Sequence, residues 1–146
     1  MLQYEEEEVF PAPPEKLWQL LRIHLDDARI GQIHKLILSQ KTVRQSGDET
    51  VVDRTIDARG KHLRSSWKYT VRAPEFFRWE VVDGDGPWTP GSFIESRYAA
   101  APGGTRITSR GELKIKVLPF IIPQRGIILG VLGDIENEDV AFARNL

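Results

Sequence analysis

The sequence contains no cysteine, which excludes disulfide bonds, thiolate catalysis and cysteine-based zinc sites. It also lacks a dominant charge, because 20 basic and 21 acidic residues leave a formal net charge of -1. Such a chain has no overall electrostatic attraction to nucleic acid or to an anionic membrane. We therefore expect no nucleic-acid partner. The absence of cysteine favours an intracellular, cytoplasmic location.

Long hydrophobic runs are missing as well. The two longest apolar stretches, 118–122 and 127–132, are broken up by Pro119, Pro123 and Gly130. Neither approaches the roughly 20 apolar residues that a membrane-spanning helix needs. The first ten residues, MLQYEEEEVF, are acidic, whereas a secretory signal is basic and then apolar. We expect neither a transmembrane segment nor a signal peptide.

What is present suits an ordinary folded domain. The chain has 146 residues, of which 40% are hydrophobic and 28% are charged. This length and balance are typical of one globular domain with a substantial core, here spanning residues 1–146. No repeat, low-complexity tract or linker divides the sequence.

The N-terminal third is predicted to contain one strand and two short helices. Residues 2–10 form the strand despite four consecutive glutamates, because the residue before Pro11 avoids the helical region. Pro13 and Pro14 suit the start of a helix, where a missing N–H costs nothing. Apolar residues at helical spacing follow from Leu17 to Leu25, and a second short helical turn is expected before residue 34.

From residue 34 to residue 117 the hydrophobic period changes to two, which is typical of strands. Short turns rich in glycine, proline and aspartate separate the alternating segments, so consecutive strands should pair as an antiparallel meander. The predicted strands are 35–45, 49–58, 62–72, 76–82, 91–100 and 105–117.

The last segment, 124–145, is predicted to form a long helix. Its apolar residues fall on one face at helical spacing, as Ile128, Leu132, Ile135 and Phe142. The glycines at 126, 130 and 133 each lower helix stability by up to about 1 kcal/mol relative to alanine. A helix with this composition needs tertiary support, such as a sheet wrapped around it.

The order strand, two helices, six strands and long helix resembles the helix-grip fold of the SRPBCC superfamily. Three segments carry this resemblance at sensible spacing: 12–18 (APPEKLW), 67–75 (WKYTVRAPE) and 104–108 (GTRIT). The superfamily includes the birch-pollen allergen family, START lipid-transfer domains, coenzyme Q-binding proteins and polyketide cyclases. The resemblance implies an α+β fold in which a curved antiparallel sheet of about seven strands grips the C-terminal helix.

The resemblance also implies an apolar cavity between the concave face of the sheet and the last helix. Strand alternation and helical spacing select the side chains that face this space, although for any single one of them the ordinary interpretation is a core residue. Aromatic wall residues would offer apolar area together with a few polar groups. The expected ligand-binding residues are Arg54, Trp67, Tyr69, Trp79, Tyr98, Leu113, Ile115, Ile128, Leu132 and Ile135.

Arg54 is the most informative residue of this set. Alternation places it beside Val52 and Ile56 on an apolar inward face. A buried guanidinium must find a carboxylate, a ligand oxygen or water, because an unpaired buried charge is very costly. One interpretation is a structural ion pair or a side chain that reaches solvent. The other is that Arg54 anchors the polar head group of a ligand.

No other constellation indicates metal or cofactor chemistry. His24, His34 and His62 do not have a metal-ligand spacing, and the aspartate pairs suit a helix end and a turn. The serines lack the context of a nucleophile elbow, and the paired glycines belong to turns. We therefore assign no catalytic residue, no metal ligand and no cofactor from the sequence.

Three functions remain open, and the first two of them use the cavity. The first is binding or transport of a small hydrophobic molecule such as a lipid, isoprenoid or polyketide, with segments 31–35, 83–90 and 123–130 as possible gates. Trp88 in the second gate could make transient membrane contact or pack against the helix. The second is a cyclase or aromatase that uses Tyr69, Tyr98, Arg54, Glu6 or Glu8 for acid–base catalysis. The third is a partner-binding module with a filled core; the oligomeric state stays open.

Overall fold

The computed structural model of the protein describes residues 2–58, 60–85, 88–115 and 124–146, and for residues 58, 124–128 and 130 only the backbone. The elements follow one another as β1 (Leu2–Phe10), α1 (Pro14–His24), α2 (Ile30–Ile33), β2 (Ile37–Ser46), β3 (Glu49–Ala58), β4 (Lys61–Arg72), β5 (Phe76–Gly84), β6 (Phe93–Ala101), β7 (Gly104–Leu113) and α3 (Gln124–Ala143).

The seven strands form one antiparallel sheet in the order β1-β7-β6-β5-β4-β3-β2. β2 to β7 pair with their neighbours in sequence as a meander, and β1 pairs with β7 along its whole length, so that β1 and β2 are the edge strands. The sheet curves around α3, as the helix-grip prediction required. The predicted α+β fold with seven strands, two short helices and a long C-terminal helix is therefore confirmed.

Four strand boundaries differ from the sequence-based prediction by two residues or more. β5 ends at Gly84 and not at residue 82, and β6 begins at Phe93 and not at residue 91. β2 begins at Ile37 and not at residue 35, because the N–H of Ile37 donates to the carbonyl of His34 and closes a turn across the intervening residues. β7 ends at Leu113, and beyond it Ile115 forms an isolated bridge to Trp88. Residues 116 and 117 of the predicted last strand, and the prolines at 119 and 123, lie outside the described residues.

Helix α1 begins as its sequence predicts, with Pro14 at the first helical position. Its apolar stripe is buried, with Leu17, Leu20 and Leu21 facing the interior. The indole N–H of Trp18 donates to the carbonyl of Pro74 at 2.9 Å, which ties the helix to the turn between β4 and β5. This contact satisfies the polar end of a side chain that is otherwise buried.

The interior contains two apolar clusters. The larger one joins α1 to the middle of the sheet and reaches Ala143 near the end of α3. The smaller one gathers Val81, Trp88, Ile94, Leu113 and Ile115 at the other end of the sheet. Within the described ranges, no helix is both long enough and apolar enough to cross a membrane.

Candidate functional site

A cavity of about 270 Å³ lies where β1, β6 and β7 face α1 and α3. Apolar and polar side chains share its wall. The apolar part arises because the inward residues of the strands alternate with exposed ones, and because α1 turns its buried apolar face toward the cavity. The apolar lining residues are Phe10, Leu17, Leu20, Leu21, Ile94, Ile107, Leu129, Leu132 and Ile135.

Gly133 of α3 forms part of the wall. A Cβ atom built on this glycine would meet no other atom within 4 Å, so the helix leaves open space at this point. Gly133 therefore does not bring the backbone of α3 into close contact with the sheet, since the space beside it is unfilled.

Carboxyl groups make one side of the cavity polar. Glu6 and Glu8 of β1 and Glu136 of α3 all line the cavity. Burial, a hydrogen bond to Glu136 and the charges of Glu136 and Glu6 raise the pKa of Glu8 to about 8. Glu8 is therefore largely protonated at pH 7, and its one O–H is engaged in the hydrogen bond to Glu136.

Two tyrosine hydroxyls add further polar groups to the same wall. Burial, together with the charges of Glu6, Glu8 and Glu136, raises the pKa of Tyr4 to about 12. Burial also raises the pKa of Tyr98 well above its ordinary value. Both side chains are neutral phenols at physiological pH and can donate as well as accept hydrogen bonds.

Three of the ten residues expected to bind ligand line this cavity. Tyr98 contributes from β6, while Leu132 and Ile135 contribute from α3. The ring of Tyr98 also packs edge-on against Trp18, with the ring centroids 5.6 Å apart. The side chain of Ile128 lies outside the described residues.

Four other expected residues belong to the smaller cluster or pack against it, and they do not line the cavity. Leu113 and Ile115 are buried core residues, and Trp67 packs edge-on against Trp79 with the centroids 5.2 Å apart. Trp79 in turn packs against Trp88, which is buried and does not offer an exposed aromatic surface. Their assignment as ligand contacts stays a prediction.

Arg54 is buried, as the alternation in β3 predicted, but its partners are neutral. Its Nε and Nη2 atoms donate to Oε1 of Gln40 at 3.1 and 2.7 Å, and Nη2 also donates to the hydroxyl of Tyr69 at 2.6 Å. The guanidinium lies 5.2 Å from the ring centroid of Trp67, which adds a cation–π contact. Gln40 Nε2 donates to the carbonyl of His24 at the end of α1.

Within the described part of the chain, Arg54 has no carboxylate partner and does not line the cavity. The hydrogen bonds to Gln40 and Tyr69 replace the expected ion pair, and they occupy Nε and Nη2 while leaving Nη1 without a described acceptor. The role of Arg54 and Tyr69 as a ligand anchor stays a prediction.

A second polar cluster joins the ends of α1 and α2 to α3. The Nε2 atoms of His24 and His34 lie 3.0 Å apart, and Oδ1 of Asp139 lies 3.3 and 3.1 Å from them. The Nδ1 atoms point away, toward the carbonyl of Leu20 at 2.9 Å and toward Oε1 of Glu138 at 3.4 Å. These three side chains form the one group of possible metal ligands found among the described residues.

The charges in this cluster shift the pKa values of its members. Burial alone would raise the pKa of Asp139, but the imidazoles of His24 and His34 outweigh it and hold the pKa at about 2. Burial alone would lower the pKa of His34, but the carboxylates of Asp139 and Glu138 outweigh it and raise the pKa. Nine residues separate the two histidines in the sequence, so their spacing did not indicate that they meet.

The fold can now be compared with known proteins. No family model matches the sequence, and no curated protein is significantly similar to it. The solved structure of Ara h 8.0201 is similar over 99% of both chains, with 18% identity and a TM-score of 0.80. The chain has an SRPBCC/START-like fold. At this level of identity the likeness shows the fold alone.

Two further structures support the same SRPBCC/START-like fold. Zhui, an aromatase/cyclase from a Streptomyces species, is 13% identical over 98% of this chain and 93% of its own, with a TM-score of 0.71. A START superfamily protein from Mycobacterium smegmatis is 14% identical over 97% of this chain and 92% of its own, with a TM-score of 0.63. The resemblance inferred from three short segments is confirmed.

Sequence reasoning missed the acidic residues that the SRPBCC/START-like fold brings to the cavity from α3. Glu136 and Asp139 follow Leu132 at spacings of four and seven, so they lie on the same helical face. Extending the helical stripe to its polar members would have found both residues. Nothing in the sequence links this face to Glu8, because more than 120 residues separate them.

Proposed function

We propose that the protein binds a small, largely apolar molecule in the cavity between α1, α3 and the β1–β7–β6 part of the sheet. The observation that carries the proposal is the unfilled space of about 270 Å³, walled by aliphatic side chains from three sides. Binding pockets are typically about 300–1,000 Å³, mostly apolar and supplied with a few polar groups. This cavity lies near the lower limit and therefore suits a compact ligand.

The polar groups of the wall restrict the chemistry of the ligand. Tyr4 and Tyr98 offer neutral hydroxyls that can donate, whereas the hydrogen-bonded carboxyls of Glu8 and Glu136, together with Glu6, offer acceptor oxygens. An anionic head group would meet these carboxylates and be repelled. We therefore expect a neutral molecule with hydroxyl or carbonyl oxygens at one end, such as a phenolic or polyketide-like compound.

The proposal can be tested by filling the open space beside Gly133 with a larger side chain. Replacing Gly133 with leucine would put a side chain into space that no atom occupies, and it would also remove a glycine from a helix interior. We expect Gly133→Leu to lower the affinity for the neutral fluorophore N-phenylnaphthylamine by about tenfold or more, a loss of about 1.4 kcal/mol or more. Thermal stability should not fall, since roughly 1 kcal/mol is gained from helix propensity.

The matched control is Asn137→Leu, which adds the same side chain to the exposed face of the same helix. It should leave fluorophore binding unchanged. Native mass spectrometry of freshly purified protein should reveal a retained neutral compound that Gly133→Leu no longer retains. Equal binding by the wild-type protein and Gly133→Leu would rule out this cavity as the binding site.

A cyclase or aromatase is the second candidate, and one observation favours it. Glu8 is a protonated acid inside the cavity, with the Tyr98 hydroxyl in the same wall. A neutral carboxyl can protonate a carbonyl oxygen during an aldol cyclisation, and the cavity can hold a flexible chain in a reactive conformation. Conversion of a linear polyketone that is lost in Glu8→Gln would support this function. The unfilled cavity argues against the third alternative, a partner module with a filled core.

A further inference from the structure

The three side chains His24, His34 and Asp139 converge on a single point from three helical segments. His24 ends α1, His34 follows α2, and Asp139 lies in the last two turns of α3. Their contacting atoms are separated by 3.0, 3.1 and 3.3 Å, which makes a nearly equilateral triangle.

The hydrogen bonds of the two Nδ1 atoms indicate which nitrogen carries the proton in each neutral imidazole. A carbonyl and a carboxylate can only accept, so Nδ1 of His24 donates to Leu20 and Nδ1 of His34 donates to Glu138. In neutral imidazoles both Nε2 atoms then carry lone pairs, and these face each other at 3.0 Å. Two lone pairs at this distance repel unless a proton or a cation lies between them.

Asp139 adds an independent indication. Its Oδ1 atom is buried and has no hydrogen-bond partner among the described residues, although both Nε2 atoms lie close to it. If both imidazoles are neutral with their protons on Nδ1, this buried oxygen faces two lone pairs, which is unfavourable unless a proton or a cation lies among the three atoms. It points at the same place as the two lone pairs.

We propose that His24 Nε2, His34 Nε2 and Asp139 Oδ1 form a binding site for a divalent transition-metal ion. Two ligands at about 2.0–2.1 Å from a metal lie about 2.8–3.0 Å apart in octahedral geometry and about 3.3–3.4 Å apart in tetrahedral geometry, and the three separations fall within these limits. Two imidazoles and one carboxylate suit Zn²⁺, Fe²⁺ or Co²⁺ and not Mg²⁺, which prefers oxygen ligands.

The surroundings resemble those of protein metal sites in two further respects. Both imidazoles donate their other N–H to an oxygen acceptor, which fixes the ring orientation and increases the basicity of the ligating nitrogen. Three protein ligands also leave at least one coordination position for water or for an oxygen of a small molecule. The metal would connect α1, α2 and α3 at the side of the fold where Asp139 meets the cavity wall.

The test uses the full chain without a histidine tag, stripped of metal with a chelator and titrated with Co²⁺ and Zn²⁺. We expect one Co²⁺ per chain, with a visible d–d absorption band, displacement by stoichiometric Zn²⁺ and no effect of Mg²⁺. Asp139→Asn and His34→Gln should each weaken Zn²⁺ binding by more than about 100-fold, because even outer partners of metal ligands contribute about 10–100-fold. Circular dichroism checks that each variant is folded.

Two further variants make the test specific. Glu138→Ala, which removes the acceptor for His34, should weaken Zn²⁺ binding by about tenfold. His62→Gln, which removes the exposed histidine of β4, should change nothing. The proposal would be overturned if the wild-type protein bound no Co²⁺, if His62→Gln weakened binding as much as His34→Gln, or if NMR showed a proton shared between the two Nε2 atoms that excess Zn²⁺ did not displace.

Discussion

The buried charge of Arg54 gives the sharpest stability prediction. Arg54 is only 8% exposed, and its charge is compensated by the side chains of Gln40 and Tyr69 and by the ring of Trp67. Gln40→Met removes the Oε1 atom that accepts two of the guanidinium's hydrogen bonds, and it leaves the Tyr69 hydroxyl as the remaining hydrogen-bond acceptor. Because it leaves a buried charge without adequate partners, we expect a loss of about 3–5 kcal/mol.

Arg54→Met should cost less, because it removes the charge instead of isolating it. Gln40 keeps its hydrogen bonds to the carbonyl of His24 and to Asp27, so only neutral acceptors lose a partner. We expect about 1–3 kcal/mol for this variant. In the double variant the isolated charge is gone, so its loss should fall about 2 kcal/mol short of the sum of the two single losses.

The assay is urea unfolding followed by far-ultraviolet circular dichroism, with the two single variants and the double variant forming a cycle. Tryptophan fluorescence is a poor probe here, since Trp67 lies against the guanidinium. If Gln40→Met were no more destabilising than Arg54→Met, the Gln40 amide would not be what compensates the charge. Additive losses in the double variant would lead to the same conclusion.

Two further predictions concern the cavity wall and the sheet. Neutral Glu8 stabilises the folded state fully below its unfolded pKa of 4.5, and this contribution is lost as pH rises to about 8, where Glu8 ionises beside Glu136. Glu8→Gln should therefore flatten the fall in urea stability between pH 5 and pH 9, whereas the exposed control Glu7→Gln should retain it. Gly111→Ala should destabilise by about 1–3 kcal/mol or more in thermal unfolding, because its Cβ would lie 2.0 Å from the carbonyl oxygen of Phe93; an unchanged midpoint would contradict this close approach.

Much of the fold was predictable because its signals are local. Alternation of apolar and polar residues set the faces of the strands, and short turns forced neighbouring strands to pair as a meander. Pro14 marked the start of α1, and helical spacing marked α3. The start of β2 was missed because a turn hydrogen bond at His34 depends on where α2 ends, which periodicity does not report.

The candidate sites were predictable only in part. Alternation correctly placed Arg54 inside the sheet, but it could not show that a glutamine on the neighbouring strand and a tyrosine would satisfy the charge. Helical spacing placed Leu132 and Ile135 on the face of α3 that lines the cavity. The position of the cavity, toward β1 and β7 and away from the tryptophans of β4 and β5, depends on how α1 and α3 pack together.

The sequence by itself determined the order of the elements, their faces and the SRPBCC/START-like fold, because hydrophobic period and turn composition act over a few residues. Only the tertiary structure decided which polar groups share a space. Glu8 meets Glu136, and His24 and His34 meet Asp139, across more than 100 residues of chain. Such contacts arise because the sheet curves around α3. No short stretch of sequence encodes this global arrangement.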